Sequence, residues 1–121
     1  MNKFKLGLDL DGVITHHPDY IRWFADKVLA SGQEVIIITG RREFERGITL
    51  KQLKDLQIRF SCLIMYPHDY VFEKGIIEMV DLKAIGEWKA LKCAELGISV
   101  MLEDSMHWYH GVDFPCPTVH I

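Results

Sequence analysis

Residues 4–13 read FKLGLDLDGV, an apolar run followed at once by two carboxylates and a glycine. The run predicts a short strand over 3–10, and residues spaced i, i+2 on a strand point to the same face of a sheet. Asp9 and Asp11 would then lie together where the strand ends. Two like charges about 4 Å apart repel by roughly 4 kcal/mol at an effective dielectric near 20. The pair therefore indicates either a bound cation or a raised pKa that leaves one acid protonated.

Strands and helices alternate along the rest of the chain. The patterns predict helices over 18–31, 43–56, 87–96 and 105–110, and strands over 34–39, 61–65, 98–102 and 118–121. Residues 66–86 give no clear pattern. The alternation predicts an α/β fold, with a Rossmann-like parallel sheet of about five strands and helices on both faces. The 121 residues predict one domain spanning 1–121.

The composition of the chain indicates which kinds of partner to expect and in which compartment the protein lies. The net charge is −3, so bulk electrostatics do not favour nucleic acid as a partner. The sequence has no run approaching the ~18 apolar residues of a membrane span, so no membrane partner is expected. The cysteines, Cys62, Cys93 and Cys116, are odd in number and widely spaced, which favours reduced thiols and a cytoplasmic location.

Polar clusters follow two further predicted strands. Thr39 offers a hydroxyl, Gly40 allows close approach to backbone amides, and Arg41 with the next arginine would open a helix, where an anion could bind. Glu103 and Asp104 follow the strand over 98–102. In parallel sheets such residues meet at the carboxyl edge of the strands. Four carboxylates converging there predict a hard divalent cation, Mg²⁺ or Mn²⁺.

In this order the clusters resemble the four motifs of the haloacid-dehalogenase (HAD) superfamily of phosphatases. The sequence DLDGV at 9–13 is similar to the first motif, and the Thr-Gly-Arg at 39–41 is similar to the second. A lysine on the helix before the fourth motif matches the third, and Glu-Asp at 103–104 matches the fourth. The resemblance covers residues 3 to about 110.

The resemblance implies three catalytic residues. Asp9 would be the nucleophile that forms an aspartyl-phosphate, and Asp11 would be the general acid and then the base. Lys89 would neutralise Asp9 and the phosphate, because it lies in the first turn of the predicted helix after Gly86. Lys83 is the alternative for this lysine.

The resemblance also implies two ligand sets. The Mg²⁺ ligands would be acidic residues with one backbone carbonyl: Asp9, the carbonyl of Asp11, Asp104 and the neighbouring Glu103. The phosphate-binding residues would follow the second strand: Thr39, Gly40 and Arg41.

The expected activity is that of a Mg²⁺-dependent phosphomonoester hydrolase. Only residues 15–17 separate the first motif from the next helix, and 66–86 is short for an inserted domain, so the expected enzyme is a capless hydrolase. An open site suits a bulky phosphorylated substrate as well as a small one, or a site covered by a second copy of the chain.

A binding scaffold with a degenerate site is disfavoured by the intact motifs, and three other interpretations stay open from the sequence. One is a nucleotidase of the 5′-deoxyribonucleotidase type within the same superfamily, and another is a phosphoacceptor signalling module. The third, a zinc site, would use His107, His110, Cys116 and His120, but these residues lack a paired CxxC. His16 and His17 follow the first motif and could touch substrate or simply line an exposed loop.

Overall fold

The computed structural model describes residues 3–67, 72–73, 76–77, 79–104 and 112–121. Its strands are β1 (Lys5–Leu8), β2 (Glu34–Arg42), β3 (Cys62–Tyr66), β4 (Phe72–Glu73), β5 (Ile76–Ile77), β6 (Val100–Glu103) and β7 (Thr118–His120). Its α-helices are α1 (Pro18–Ala30), α2 (Arg46–Asp55) and α3 (Met79–Leu96). An irregular turn (Leu10–Ile14), in which Asp11 and Gly12 have non-helical backbone angles, follows β1, and a 3-10 turn (Glu43–Glu45) follows β2.

Five strands form one sheet in the order β3-β2-β1-β6-β7, and every neighbouring pair is parallel. The predicted α/β fold with a five-stranded parallel sheet is therefore confirmed. Strand β1 lies at the centre, between β2 and β6. Its residues Leu6 and Leu8 are almost fully buried. The short strands β4 and β5 pair with each other in an antiparallel hairpin.

Helices cover both faces of the sheet, and β2 shows why. Val35 and Ile37 belong to one buried cluster, which contains residues of α1 and α2 such as Ile21 and Leu53. Ile36 and Ile38 alternate with them and belong to a second cluster, which contains Cys93 of α3. A β-branched run without polar alternation is what a strand buried on both faces requires.

Strand β2 is longer than predicted, because its extended backbone continues through Gly40 to Arg42. The pairing between β2 and β3 shifts after Thr39 and resumes at Arg42, opposite Tyr66. The two arginines that were expected to open the next helix therefore lie in the strand, and α2 begins at Arg46. That part of the anion-binding prediction is wrong, since no helix starts at Arg41.

Helix α3 begins at Met79, eight residues before the predicted start. The prediction took Gly86 as a helix boundary, but Gly86 is buried inside α3. A glycine within a helix costs only ~1 kcal/mol relative to alanine, which packing can offset. Lys89 consequently lies in the interior of α3 and not in its first turn.

Of the remaining predictions on local structure, one is confirmed, and the others concern residues that are wholly or partly outside the described ranges. The edge strand over 118–121 is found as β7. The short helix predicted over 105–110 lies outside the described residues, and so do His107 and His110 of the zinc interpretation. The expected absence of a cap domain concerns a segment that is only partly described, and it stays a prediction. In the described part of the chain, none of the helices combines the length and apolarity needed to cross a bilayer.

Candidate active site

The site lies at the carboxyl edge of the three central strands. Asp9 follows β1 directly, and its backbone N–H donates to the carbonyl of Leu102 at 3.0 Å, which extends the sheet by one residue. Glu103 ends β6, and Asp104 follows it. Because β1 and β6 are adjacent and parallel, these acids come from the same end of both strands.

Three carboxylates form a tight cluster, which we call the acid cluster. Oxygen atoms of Asp9, Glu103 and Asp104 lie within 4.8 Å of one another. Asp9 and Glu103 are buried, and Asp104 is partly exposed. Like charges held this close in a desolvated place repel strongly unless cations offset them. The donor set is all oxygen, and it suits Mg²⁺ better than a softer metal.

Lys89 reaches the acid cluster from helix α3. Its Nζ lies 2.8 Å from Oδ1 of Asp9 and 3.1 Å from Oε2 of Glu103, and only 2% of the residue is exposed. The ammonium donates to both carboxylates and offsets part of their repulsion. Removing one partner of such a buried ion pair leaves an uncompensated charge in a low-dielectric place.

Burial dominates the protonation of Asp9. It raises the pKa of Asp9 well above the usual value of a carboxyl group, Lys89 acts in the opposite direction, and the nearby Glu103 raises it further. A divalent cation at the acid cluster would favour the carboxylate form of Asp9, as any nearby positive charge does.

Gly12 makes room for the acid cluster. Its φ of +88° is one that residues with a side chain rarely adopt, and a Cβ at this position would overlap the carboxylate of Asp104. The Gly12 amide donates to Oγ1 of Thr15 at 2.9 Å, which holds the turn. The glycine of the first motif is therefore required by backbone geometry and by the close approach of Asp104.

Asp11 does not join the acid cluster. Strand β1 ends at Leu8, so the alternation that was expected to place Asp9 and Asp11 side by side does not apply beyond it. The carboxylate of Asp11 accepts two hydrogen bonds from Arg41, at 3.0 Å from Nε and 2.7 Å from Nη2. Its side chain is 60% exposed.

The last residues of β2 are arranged around this pair. Arg41 also donates from Nη1 to Oγ1 of the buried Thr49 at 3.2 Å, and its backbone N–H donates to Oγ1 of the buried Thr39 at 3.1 Å. Hydrogen bonding with Asp11 raises the pKa of Arg41 further, so the guanidinium stays charged. Thr39, Gly40 and Arg41 thus stand at the end of the strand next to β1.

Several other predicted residues lie elsewhere. Lys83 is exposed, and its Nζ lies 4.0 Å from Glu87, so its side chain is directed to its own helix surface. His16 and His17 are exposed. His120 was considered only for zinc, but its Nε2 lies 3.0 Å from the carbonyl oxygen of Asp104.

Three of these contacts have no counterpart in the sequence analysis. They are the approach of Gly12 to Asp104, the bond between Arg41 and Thr49, and the bond between His120 and Asp104. Two of them join residues from distant strands or loops, and short-range patterns carry no signal for such pairs.

Comparison with known proteins gives structural neighbours only. No protein-family model matches the chain, and no curated protein matches it. Two solved chains of the Pnkp1/Rnl/Hen1 complex are similar, with TM-scores of 0.66 and 0.64, identities of 18% and 19%, and coverage of 100% and 99% of this chain. The second is described as an RNA repair complex. The fold is similar to that of a chain in an RNA repair complex.

A third neighbour shows that the fold is shared more widely. A glycosyltransferase from Rickettsia africae ESF-5 has a TM-score of 0.57 at 11% identity and covers 98% of this chain. The chain spans 47%, 45% and 30% of the three neighbours in turn. One fold therefore accompanies different chemistries, and the reaction has to be argued from the site.

These neighbours overturn the predicted family and activity. The identification as a HAD phosphatase of small or bulky phosphorylated substrates is wrong, and so are the phosphomonoester hydrolase, nucleotidase and phosphoacceptor interpretations, because two similar chains belong to the Pnkp1/Rnl/Hen1 RNA repair complex. The motifs consisted of a few polar residues at strand ends, and parallel α/β sheets of many activities gather such residues there.

The predicted partners are corrected by the same finding. Nucleic acid was disfavoured because the whole chain has a net charge of −3, but two structural neighbours belong to the Pnkp1/Rnl/Hen1 complex, which one of them describes as an RNA repair complex. Net charge describes the total and not its distribution. Arg41 and Arg42 end β2 and Arg46 begins α2, and these arginines pair with Asp11, Glu45 and Glu43 in turn.

Proposed function

We propose that the chain is an enzyme module that acts on a phosphate group at an RNA end. The observation that carries the proposal is Lys89, buried between Asp9 and Glu103 at the carboxyl edge of the sheet. The likeness of the whole chain to a chain of an RNA repair complex supports RNA as the substrate class.

The acid cluster with Lys89 has the character of a reaction centre. Burying an ion pair costs several kcal/mol per ion before any attraction is recovered, so well-packed apolar residues would stabilise the fold as well or better. Perturbed titratable groups concentrate at functional sites for this reason. Here the pKa of Asp9 is raised by burial while a lysine donates directly to its carboxylate.

We propose Mg²⁺ as the cofactor, held by carboxylate oxygens of Asp9, Glu103 and Asp104. A divalent cation bound there would neutralise developing charge on a phosphoryl group. Lys89 holds the carboxylate of Asp9 in one orientation and supplies a fixed positive charge beside it. The backbone carbonyl of Asp11 remains a proposed further ligand.

The phosphate itself is proposed to bind at the end of β2, through Thr39, Gly40 and Arg41. Arg41 presents a planar fork of donors that matches phosphate oxygens as well as it matches a carboxylate. In the structure this fork is bound to Asp11. A bound phosphate would compete with Asp11 for it, which couples substrate binding to release of the Asp11 carboxylate.

The proposal extends to the domain organisation and the cellular location of the protein. A single domain over residues 1–121 and a cytoplasmic location are both parts of the proposal. The location is supported by the three free thiols, Cys62, Cys93 and Cys116, because disulfides are rare in that compartment.

The test uses short RNAs that differ only in their end groups: a 5′-phosphate, a 3′-phosphate, a 2′,3′-cyclic phosphate, or hydroxyls alone. Mass spectrometry of the RNA after incubation with protein and Mg²⁺ identifies which bond changed. We expect the wild-type protein to convert one phosphorylated end. In Asp9→Asn the kcat/KM of this conversion should fall by at least about two orders of magnitude, a loss of about 3 kcal/mol of transition-state stabilisation.

Lys92→Ala is the matched control. Lys92 lies on the same helix, one turn beyond Lys89, and its Nζ pairs with Glu95 at 3.0 Å on the surface. This variant should convert RNA at the wild-type rate. Conversion by Asp9→Asn within tenfold of wild type, or wild-type protein that leaves every RNA end unchanged, would contradict the proposal.

A further inference from the structure

A fully buried hydroxyl on α2 contacts the arginine near the end of β2. Thr49 is inaccessible to solvent, and its Oγ1 accepts a hydrogen bond from Nη1 of Arg41 at 3.2 Å. Burying a hydroxyl costs free energy unless it is hydrogen-bonded, and a valine of nearly the same shape would avoid that cost. Packing of α2 therefore does not call for a hydroxyl here, and the contact points to a role that concerns Arg41.

Arg41 lies in an irregular part of the sheet. The pairing of β2 with β3 is interrupted between Thr39 and Arg42, and Arg41 falls within that interruption. Its backbone N–H donates to Oγ1 of the buried Thr39 at 3.1 Å. Such irregularities in a strand redirect side chains and are common beside active sites. They fix the backbone, whereas the long side chain of Arg41 needs contacts of its own to hold one orientation.

The contact with Thr49 decides which edge of the guanidinium is presented. A guanidinium offers two pairs of parallel donors, Nε with Nη2 and Nη1 with Nη2. Thr49 holds Nη1, which leaves the pair of Nε and Nη2 for an acceptor with two oxygens. In the structure this pair binds both carboxylate oxygens of Asp11, at 3.0 Å and 2.7 Å. Asp11 thus takes the position of a bidentate oxyanion and shows that this edge is shaped for one.

The presented edge lies close to the acid cluster. Asp9 follows β1, and Arg41 lies near the end of the adjacent strand β2. The hydrogen bond with Asp11 does most to raise the pKa of Arg41, and the carboxylate of Asp9 adds to the shift. The guanidinium is therefore within electrostatic range of Asp9, and an anion bound to its Nε–Nη2 edge would lie beside the acid cluster.

We propose that Thr49 is a positioning residue for Arg41, and that its hydroxyl fixes the guanidinium with the Nε–Nη2 edge towards the phosphate position. The inference rests on the proposed function, which assigns the phosphate to the end of β2. When a phosphate takes the place of Asp11 on this edge, the contact with Thr49 keeps both donors aligned with the phosphate oxygens. Because Thr49 is fully buried, it acts through Arg41 and does not contact the phosphate.

The experiment measures binding of inorganic phosphate to wild type, Thr49→Val and Thr49→Ser by calorimetry. Thr49→Val keeps the shape of the side chain and removes the acceptor. It should bind phosphate at least about fivefold more weakly, because the guanidinium then has to be ordered during binding. Thr49→Ser keeps the hydroxyl and should restore wild-type affinity. A role in packing alone would be impaired in Thr49→Ser, which lacks the methyl group.

Leu50→Ala is the matched control. Leu50 is the next residue of α2, it is exposed, and it lines a groove together with Arg22 and Asp26 of α1. Leu50→Ala should bind phosphate as wild type does. Thermal unfolding of every variant shows whether it is folded at the temperature of the titration. Thr49→Ala also removes the acceptor and supplies the same test if Thr49→Val is unfolded.

The outcomes separate the inference from the proposed function. Arg41→Ala should lose phosphate binding. If it does and Thr49→Val binds phosphate like wild type, the inference alone is overturned. If Thr49→Ser loses as much affinity as Thr49→Val, the hydroxyl is not the cause, and the inference is again overturned. If Arg41→Ala binds phosphate like wild type, or wild type binds none, the proposed phosphate position fails together with the inference.

Discussion

Asp9 and Asp11 are two residues apart in the sequence and lie in opposite surroundings. Asp9 is buried against Lys89 and two further acids, whereas Asp11 is largely exposed and bound to Arg41. The difference arises because β1 ends at Leu8 and the chain turns at Gly12. Identical side chains therefore acquire different chemistry from the elements that pack against them. Each prediction below tests one part of this contrast.

The largest effect is expected from removing the buried ammonium. Lys89→Met should lower the free energy of unfolding by about 3–5 kcal/mol, because Asp9 and Glu103 lose their buried cationic partner. Urea denaturation measures the change. The surface variant Lys92→Ala should stay within about 0.5 kcal/mol of wild type. A comparable loss in both variants would show that the burial of Lys89 has no special energetic weight.

A close approach and a strained backbone combine at Gly12. Gly12→Ala should cost more than Gly32→Ala, because both glycines have a positive φ but only Gly12 would place its Cβ against Asp104. The strain shared by both should amount to about 1–3 kcal/mol. The double variant Gly12→Ala with Asp104→Gly should recover the excess. Equal costs for the two single variants would mean that the turn can shift away from Asp104.

The pH dependence of stability should distinguish the two aspartates. Since burial raises the pKa of Asp9 in the folded state, the native protein binds this proton more tightly than the unfolded chain. Its contribution to stability is full below the unfolded pKa and is lost as pH rises through the folded pKa. Without metal, wild-type stability should therefore fall with rising pH relative to Asp9→Asn.

Asp11→Asn is the control for that titration, and added Mg²⁺ is the second arm. Asp11→Asn should keep the wild-type fall in stability, because it leaves Asp9 in place. Mg²⁺ should oppose the fall, since binding to the carboxylate form stabilises the native state by mass action. A wild-type curve parallel to that of Asp9→Asn would show that folding does not raise the pKa of Asp9.

The smallest effect is expected at the pair of Arg41 with Asp11. Arg41→Ala should lower the free energy of unfolding by about 1–2 kcal/mol, because Asp11 is largely exposed and returns to water, while Thr49 loses one hydrogen bond. The same variant should weaken RNA binding, if Arg41 exchanges Asp11 for a phosphate as proposed. A stability loss as large as that of Lys89→Met would abolish the contrast between the two regions.

Most of the fold could be predicted from the sequence, because short-range patterns of apolar residues mark its helices and strands. The β-branched run over 34–39 and the helical spacing of Ile21, Ala25 and Val28 mark elements that bury their apolar residues, and both are found. The ends of elements were less accessible. Gly86 was taken for a boundary and lies inside α3, because tertiary packing outweighs its low helix propensity.

Only part of the site could be predicted from the sequence, because several of its contacts join residues that local patterns do not connect. Carboxyl ends of parallel strands lie at one edge of a sheet, so the sequence could place Asp9, Glu103 and Asp104 at the same edge, and the structure brings them together. Lys89 was selected through an incorrect helix start, yet it reaches Asp9 from the helix interior. Contacts such as Arg41 with Asp11 depend on how a turn and an irregular strand pairing fit together, and no local pattern encodes them.

The substrate class was the least accessible property. A few polar residues at strand ends do not identify what binds to them, and the whole-chain charge of −3 carries no information on where the arginines at the end of β2 lie. The geometry and burial of the acid cluster do not depend on the family to which the chain belongs. The cation site can therefore be tested independently of the RNA substrate.

The most direct measurement is calorimetric titration of Mg²⁺ into the wild-type protein, Asp104→Asn and Asp11→Asn. We expect wild type and Asp11→Asn to bind Mg²⁺ alike, because Asp11→Asn keeps its backbone carbonyl and all three acids of the cluster. Asp104→Asn should bind at least about tenfold more weakly, a loss of about 1.4 kcal/mol. Equal binding by wild type and Asp104→Asn, or a larger loss in Asp11→Asn, would contradict the assignment of the cation to the buried acid cluster.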